Sequence, residues 1–118
     1  MSSTYNNEVK ALAVYGSLQP GGPNHYILEN IPGIWSSGFV RGQLEESGWG
    51  AKIGFPGLHL SDHGDEIEVK LFESENLSDV LKQLDDFEGE EYTRQVCSVF
   101  TPHGTVFAYI YTLSQHQN

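Results

Sequence analysis

The chain has 118 residues, 38% of them hydrophobic, which suits one ordinary hydrophobic core and is short for two domains. Its formal net charge is -10, and 12 of its 16 acidic residues fall between Asp62 and Glu91, which disfavours nucleic-acid backbones and anionic membranes as partners. Cys97 is the single cysteine, so no internal disulfide can form. With neither a basic, apolar leader nor an apolar run of ~20 residues, the expectation is a soluble protein in the reducing cytoplasm.

Residues 1–8 are polar and read as a frayed tail, residues 9–113 as the folded domain, and residues 114–118 as a second polar tail. Val9 to Tyr15 is apolar on both faces after Lys10, which predicts a central, buried strand. It runs into Gly16-Ser17-Leu18-Gln19-Pro20-Gly21-Gly22-Pro23, a loop dense in turn formers. Asn24 to Asn30 reads as a short helix capped by Asn24, with Ile27 and Leu28 turned inward.

Trp35 to Leu44 reads as an imperfect strand bent at Gly38 or Gly42. Ser47 to Leu60 is glycine-rich and mostly loop, with short strand pieces expected at Lys52-Ile53 and Leu58–Leu60. Asp65 to Glu73 alternates cleanly, with Ile67, Val69 and Leu71 on one face and Glu66, Glu68 and Lys70 on the other.

Asn76 to Gly89 carries apolar residues at Leu77, Val80, Leu81 and Leu84, the spacing of one helix face. One further turn along that stripe stands Glu88, followed by Gly89 as a stop. A carboxylate on an inward stripe must be paired or raised in pKa. The plainer alternative is a helix that ends early and leaves Glu88 in water. Tyr92 to Thr101 and Thr105 to Leu113 form a predicted hairpin around Pro102-His103-Gly104. These elements contain few strand-helix-strand alternations. They point to an α+β class with a small mixed, mostly antiparallel, curved sheet and one main helix.

Three constellations have chemical potential. The glycine loop after the first strand can aim several backbone N–H groups at one anion, although it lacks P-loop and dinucleotide spacing. Glu88 is a candidate acid/base group, and its neighbours Asp85, Asp86, Glu90 and Glu91 read as a solvated face. His59, Asp62, His63 and Asp65 crowd one stretch, but glycines at 57 and 64 oppose the helix that would make such spacing converge, so a solvated loop is expected and no metal. Cys97 reads as a small core residue. Ser17 with His25 lacks the elbow of a serine nucleophile.

Two of these stretches resemble one known family. Val14-Tyr15-Gly16-Ser17-Leu18 through Asn24-His25 is similar to the Tyr-Gly-Thr/Ser-Leu opening of γ-glutamylcyclotransferase-like proteins. Leu84-Asp85-Asp86-Phe87-Glu88-Gly89 with Tyr92-Thr93-Arg94 resembles their Leu-Asp-x-x-Glu-Gly and Tyr-x-Arg signature. Val40-Arg41-Gly42-Gln43-Leu44 and Gly54-Phe55-Pro56-Gly57-Leu58 resemble segments that lie between the two, and the likeness spans residues 11–112.

The resemblance implies a closed or nearly closed barrel-like sheet beside a helix, with a cavity between the first loop and the helix end. It implies release of 5-oxoproline from a small γ-glutamyl substrate without cofactor or metal. Glu88 would be the catalytic glutamate, Tyr15, Gly16, Ser17 and Leu18 the substrate loop, and Tyr92, Arg94 and Tyr111 supporting residues. Residues 45–64 match least and are read as lining the leaving-group side. A non-catalytic small-molecule binder of the same fold is the alternative. An ion pair between Glu88 and Arg94 would oppose the acid/base role.

Overall fold

The computed structural model describes residues 9–114, so the predicted tail at residues 1–8 and most of the one at the other end lie outside the described residues. Six strands form one sheet: β1 (Ala11–Val14), β2 (Ile34–Glu45), β3 (Gly57–Leu60), β4 (Asp65–Glu73), β5 (Tyr92–Thr101) and β6 (Gly104–Leu113). Their order is β3-β2-β4-β1-β6-β5, and a further pairing of β2 with β5 closes five of them into a barrel with β3 on the flank. The β1–β6 pair is parallel, with Leu12 opposite Tyr109, and every other pair is antiparallel. The fold class is therefore the mixed, barrel-like sheet with one main helix that the pattern predicts.

β1 shows why a strand can be apolar on both faces. Ala11 and Ala13 point into the barrel beside Val40, Leu58, Val69, Leu71, Val99 and Ile110. Leu12 and Val14 point outward into a second core, made with Phe72, Ile27, Leu28 and the helix residues Leu77, Val80 and Leu84. The small alanines face the narrow interior of the barrel, and the larger side chains face the helix. The ordered strand is shorter than the predicted Val9–Tyr15 because pairing with β4 runs only from Ala11 to Val14.

The helix α1 spans Ser78–Glu88 and ends at Gly89, whose φ of 78° is open to glycine at little cost. Leu77, Val80 and Leu84 are buried against the sheet, each contributing about 1.5–3 kcal/mol of apolar transfer. Truncation of Leu84 to alanine would cost about 3 kcal/mol, since the cavity cannot collapse between helix and barrel. Glu88 follows on the same stripe and is 7% exposed, so the helix does carry its carboxylate inward.

β2 runs as one strand from Ile34 to Glu45 through both glycines. At Gly38 the reason for glycine is close approach: a Cβ there would lie 2.7 Å from Val99 Cγ1 and 2.8 Å from the Phe100 carbonyl oxygen. That contact is where β2 meets β5, with Phe39 opposite Phe100 and their rings 5.2 Å apart.

Two local expectations are corrected. The Lys52-Ile53 strand piece is part of a 3-10 turn over Trp49–Ile53, bounded by Gly48 and Gly54 with φ of 84° and 94°. Asn24 to Asn30 is no α-helix but a single 3-10 turn over His25–Ile27; Asn24 stands at its N-cap position, but its side chain makes no capping hydrogen bond. The Asn24 amide donates instead to Ser17 Oγ at 2.8 Å, pinning the glycine loop. Ile27 and Leu28 are buried as expected.

The β5–β6 hairpin turns at Pro102-His103, with Gly104 already in β6. Ser114, placed in the C-terminal tail by its polarity, still donates its N–H to the Glu91 carbonyl at 2.9 Å. Among the described residues no helix is long and apolar enough to cross a membrane.

Candidate active site

β1 ends at Val14, and the chain then turns through Tyr15 to Leu18. That turn meets the last residue of α1 and the 3-10 turn around Trp49. Together they line a cavity walled by Tyr15, Gly16, Ser17, Trp49, Glu88 and Tyr92, with Leu18, Phe55, Pro56 and Tyr111 completing it. The cavity, counted out to its open mouth, has a volume of about 430 Å³.

Glu88 is the charged residue of this cavity. Burial pushes its carboxyl up from the usual carboxylate range to about 7. Among the described residues no hydrogen bond or ion pair involves that carboxylate. Its backbone carbonyl is occupied, accepting from Trp49 Nε1 at 2.9 Å, which ties the 3-10 turn to the helix end. Trp49 also packs edge-on against Phe87 and Tyr92.

The loop side offers donors. The N–H groups of Gly16, Ser17 and Leu18 take part in none of the turn and loop hydrogen bonds of the described backbone, whereas the carbonyls of Gly16 and Ser17 accept from Gln19 and Asn24. His25 Nδ1 lies 3.0 Å from the Leu18 carbonyl oxygen, so the loop is held from below. That placement also removes the serine-nucleophile reading, because Ser17 Oγ faces the Asn24 amide and His25 is committed to Leu18.

Three tyrosines stand around the carboxylate. The Tyr15 hydroxyl donates to the Tyr111 carbonyl at 2.7 Å. The Tyr111 hydroxyl donates to Asp85 Oδ1 at 2.6 Å. The Tyr92 hydroxyl accepts from the Gly50 N–H at 3.0 Å. Burial pushes all three phenols up, and the nearby Glu88 charge adds to the shift, so they hold their protons at neutral pH.

Arg94 lies outside the cavity lining and does not pair with Glu88. Its Nη2 donates to Asp85 Oδ2 at 3.2 Å and its guanidinium lies over the Tyr109 ring. Asp85 is therefore no part of a solvated face, as its sequence setting suggests, but the half-buried anchor of Tyr111 and Arg94. Asp86, Glu90 and Glu91 do face solvent.

Sequence reasoning passes over Trp49 as a site residue. The signal available for it is an indole between Gly48 and Gly50, in a region expected to line the pocket. His59 pairs with Glu45, while Asp62, His63 and Asp65 are exposed. Among the described residues no three His, Cys, Asp or Glu side chains converge as metal ligands would. Cys97 is buried in the barrel core, its thiol pushed up to about 12 by burial.

The chain has relatives among known proteins. The model of a family described as gamma-glutamyl cyclotransferase, AIG2-like, matches residues 12–118. No curated protein matches. Among solved structures, YkqA from Bacillus subtilis is similar at 25% identity with a TM-score of 0.70, over 89% of this chain but 36% of that one, so the present chain corresponds to a minor part of YkqA. An AIG2-like protein from Mus musculus is 26% identical with a TM-score of 0.67, over 92% of this chain and 79% of the other. An uncharacterised protein from Pyrococcus horikoshii, at 19% identity and a TM-score of 0.63 over 92% of this chain and 80% of its own, shares the fold.

Proposed function

This chain belongs to the AIG2-like gamma-glutamyl cyclotransferase family, and from that premise we propose that it releases 5-oxoproline and a free amine or amino acid from a small γ-glutamyl compound. The observation that carries the proposal is the buried Glu88 carboxylate sharing one cavity with the N–H groups of Gly16 to Leu18, neither of which has a hydrogen-bond partner among the described residues.

The substrate supplies its own nucleophile. Its α-amine attacks its own γ-carbonyl carbon, which makes the ring closure intramolecular. The new bond joins the α-nitrogen to the carbonyl carbon, and the bond that breaks joins that carbon to the leaving nitrogen. One proton must leave the attacking nitrogen and one must reach the departing nitrogen. Glu88 performs both transfers in turn, and a carboxyl near 7 is matched to giving and taking a proton at neutral pH. The backbone N–H groups of Gly16, Ser17 and Leu18 hold the substrate's α-carboxylate or the oxyanion that forms on the carbonyl. The reaction requires no redox step and no added water.

The test is to incubate the protein with γ-glutamyl peptides, γ-glutamyl amino acids and γ-glutamylamines and to measure 5-oxoproline. Release from at least one class, lost by about 10²–10⁴-fold in Glu88→Gln, is the expected outcome. Binding of these compounds without any 5-oxoproline would identify a non-catalytic binder, and equal rates in both proteins would remove Glu88 from the chemistry.

A further inference from the structure

The cavity holds three phenols, and their protons are not equally available. The Tyr15 proton is spent on the Tyr111 carbonyl, and the Tyr111 proton on the Asp85 carboxylate. The Tyr92 oxygen accepts the Gly50 N–H, and among the described residues its own proton has no acceptor. That hydroxyl is also tightly seated. A Cβ at Gly48 would lie 2.7 Å from it and one at Gly50 2.9 Å from it. The two glycines thus keep room for the phenol oxygen, and the Gly50 N–H occupies one of its lone pairs.

The other unspent side-chain donor belongs to Ser17, whose oxygen accepts from Asn24. Ser17 sits within the run of free N–H groups on the loop, a cluster of donors suited to a carboxylate with its several lone pairs. Tyr92 comes from a different element, at the start of β5, and contacts the 3-10 turn whose Trp49 holds the Glu88 carbonyl.

Resting on the cyclotransferase reading above, we propose that Tyr92 is a second catalytic residue, donating its hydroxyl hydrogen bond to the γ-carbonyl oxygen as that oxygen becomes an oxyanion, while Ser17 and the loop N–H groups bind the substrate α-carboxylate. Tyr92 transfers no proton in this scheme. The carbonyl π electrons move onto oxygen as the α-nitrogen attacks and return as the carbon–nitrogen bond to the leaving amine breaks. The hydrogen bond strengthens between those two events and then relaxes. Because the Gly50 N–H fixes the phenol beforehand, the donor needs no reorganisation at the moment of reaction.

The division of labour makes opposite kinetic demands on the two hydroxyls. Tyr92→Phe keeps the ring against Trp49 and is expected to lower kcat by about 10²–10³-fold with KM little changed. Ser17→Ala is expected to raise KM with a smaller effect on kcat. Loss of the Gly50 anchor also accompanies Tyr92→Phe, so a second measurement separates donation from anchoring. Replacing Tyr92 with a ring-fluorinated tyrosine makes the hydroxyl a better donor and a poorer acceptor. A kcat that holds or rises below the pH at which the fluorinated phenol ionises supports the donor role. A kcat that falls there, or Tyr92→Phe with wild-type kcat, overturns it. Glu88→Gln serves as the reference. If no 5-oxoproline forms with any substrate, the cyclotransferase reading itself fails, and if that variant keeps wild-type activity, Glu88 leaves the chemistry. If Glu88→Gln is inactive and Tyr92→Phe is not impaired, only the role of Tyr92 fails.

Discussion

Asp85 and Glu88 are carboxylates three residues apart on the last turn of one helix, and their surroundings differ in kind. Asp85 is half-exposed and spends both oxygens, one on the Tyr111 hydroxyl and one on Arg94. Glu88 is buried, faces a cavity, and has no ion-pair or hydrogen-bond partner among the described residues. The first arrangement fixes structure: a carboxylate held by a phenol and a guanidinium orients both. The second stores reactivity, because a buried carboxylate without a cation holds its proton up to about neutral pH. Chemical identity alone does not assign the two roles, since the partners that distinguish them come from β5 and β6.

The largest expected effect that tests this contrast is on rate. Glu88→Gln should lower kcat for 5-oxoproline release by about 10²–10⁴-fold, whereas Asp85→Asn should keep kcat within about tenfold of wild type. A loss in Asp85→Asn as deep as in Glu88→Gln would erase the distinction.

The second effect has the opposite sign and is on stability. Below the unfolded value of 4.5 the carboxyl is protonated in both states and burial carries no charge penalty. As pH rises from there towards about 7, the unfolded chain ionises first, so the folded protein becomes relatively less stable. Glu88→Gln removes that penalty and should be more stable than wild type by about 3 kcal/mol at pH 8.5, with little difference at pH 4. Urea unfolding of both proteins across this range is the check. A constant difference at all pH values would contradict a raised Glu88.

Asp85→Ala should do the reverse, losing about 2 kcal/mol in urea unfolding at pH 7 as Tyr111 and Arg94 lose their shared partner. Trp49→Phe should have the smallest effect. It removes the hydrogen bond to the Glu88 carbonyl while keeping an aromatic ring beside Phe87, and about 1 kcal/mol of stability should go with it.

The same contrast marks what was legible in the sequence. Local periodicity offered the inward position of Glu88, since Leu77, Val80, Leu84 and Glu88 fall on one stripe, but left a solvated helix end open. The glycine loop after β1 was legible for the same local reason. Asp85 was not, because its partners lie 9 and 26 residues further along the chain and only the closed barrel brings them to the helix. Trp49 was hidden likewise: its role depends on a hydrogen bond to a residue 39 positions away. At Lys52-Ile53 the expected strand piece gives way to a 3-10 turn bounded by two glycines in the positive-φ region. At Asn24 the side-chain amide donates to Ser17 Oγ seven residues back, and its side-chain oxygen makes no capping hydrogen bond to the turn.

The most direct measurement is a titration of the Glu88 side-chain carboxyl by carbon NMR on protein labelled at glutamate, with Glu88→Gln identifying the resonance. A midpoint near 7 is expected for a carboxylate poised by burial to carry a proton between two amines. A midpoint in the ordinary glutamate range, near about 4.3, would mean that Glu88 is solvated or paired and would contradict its role as the proton carrier.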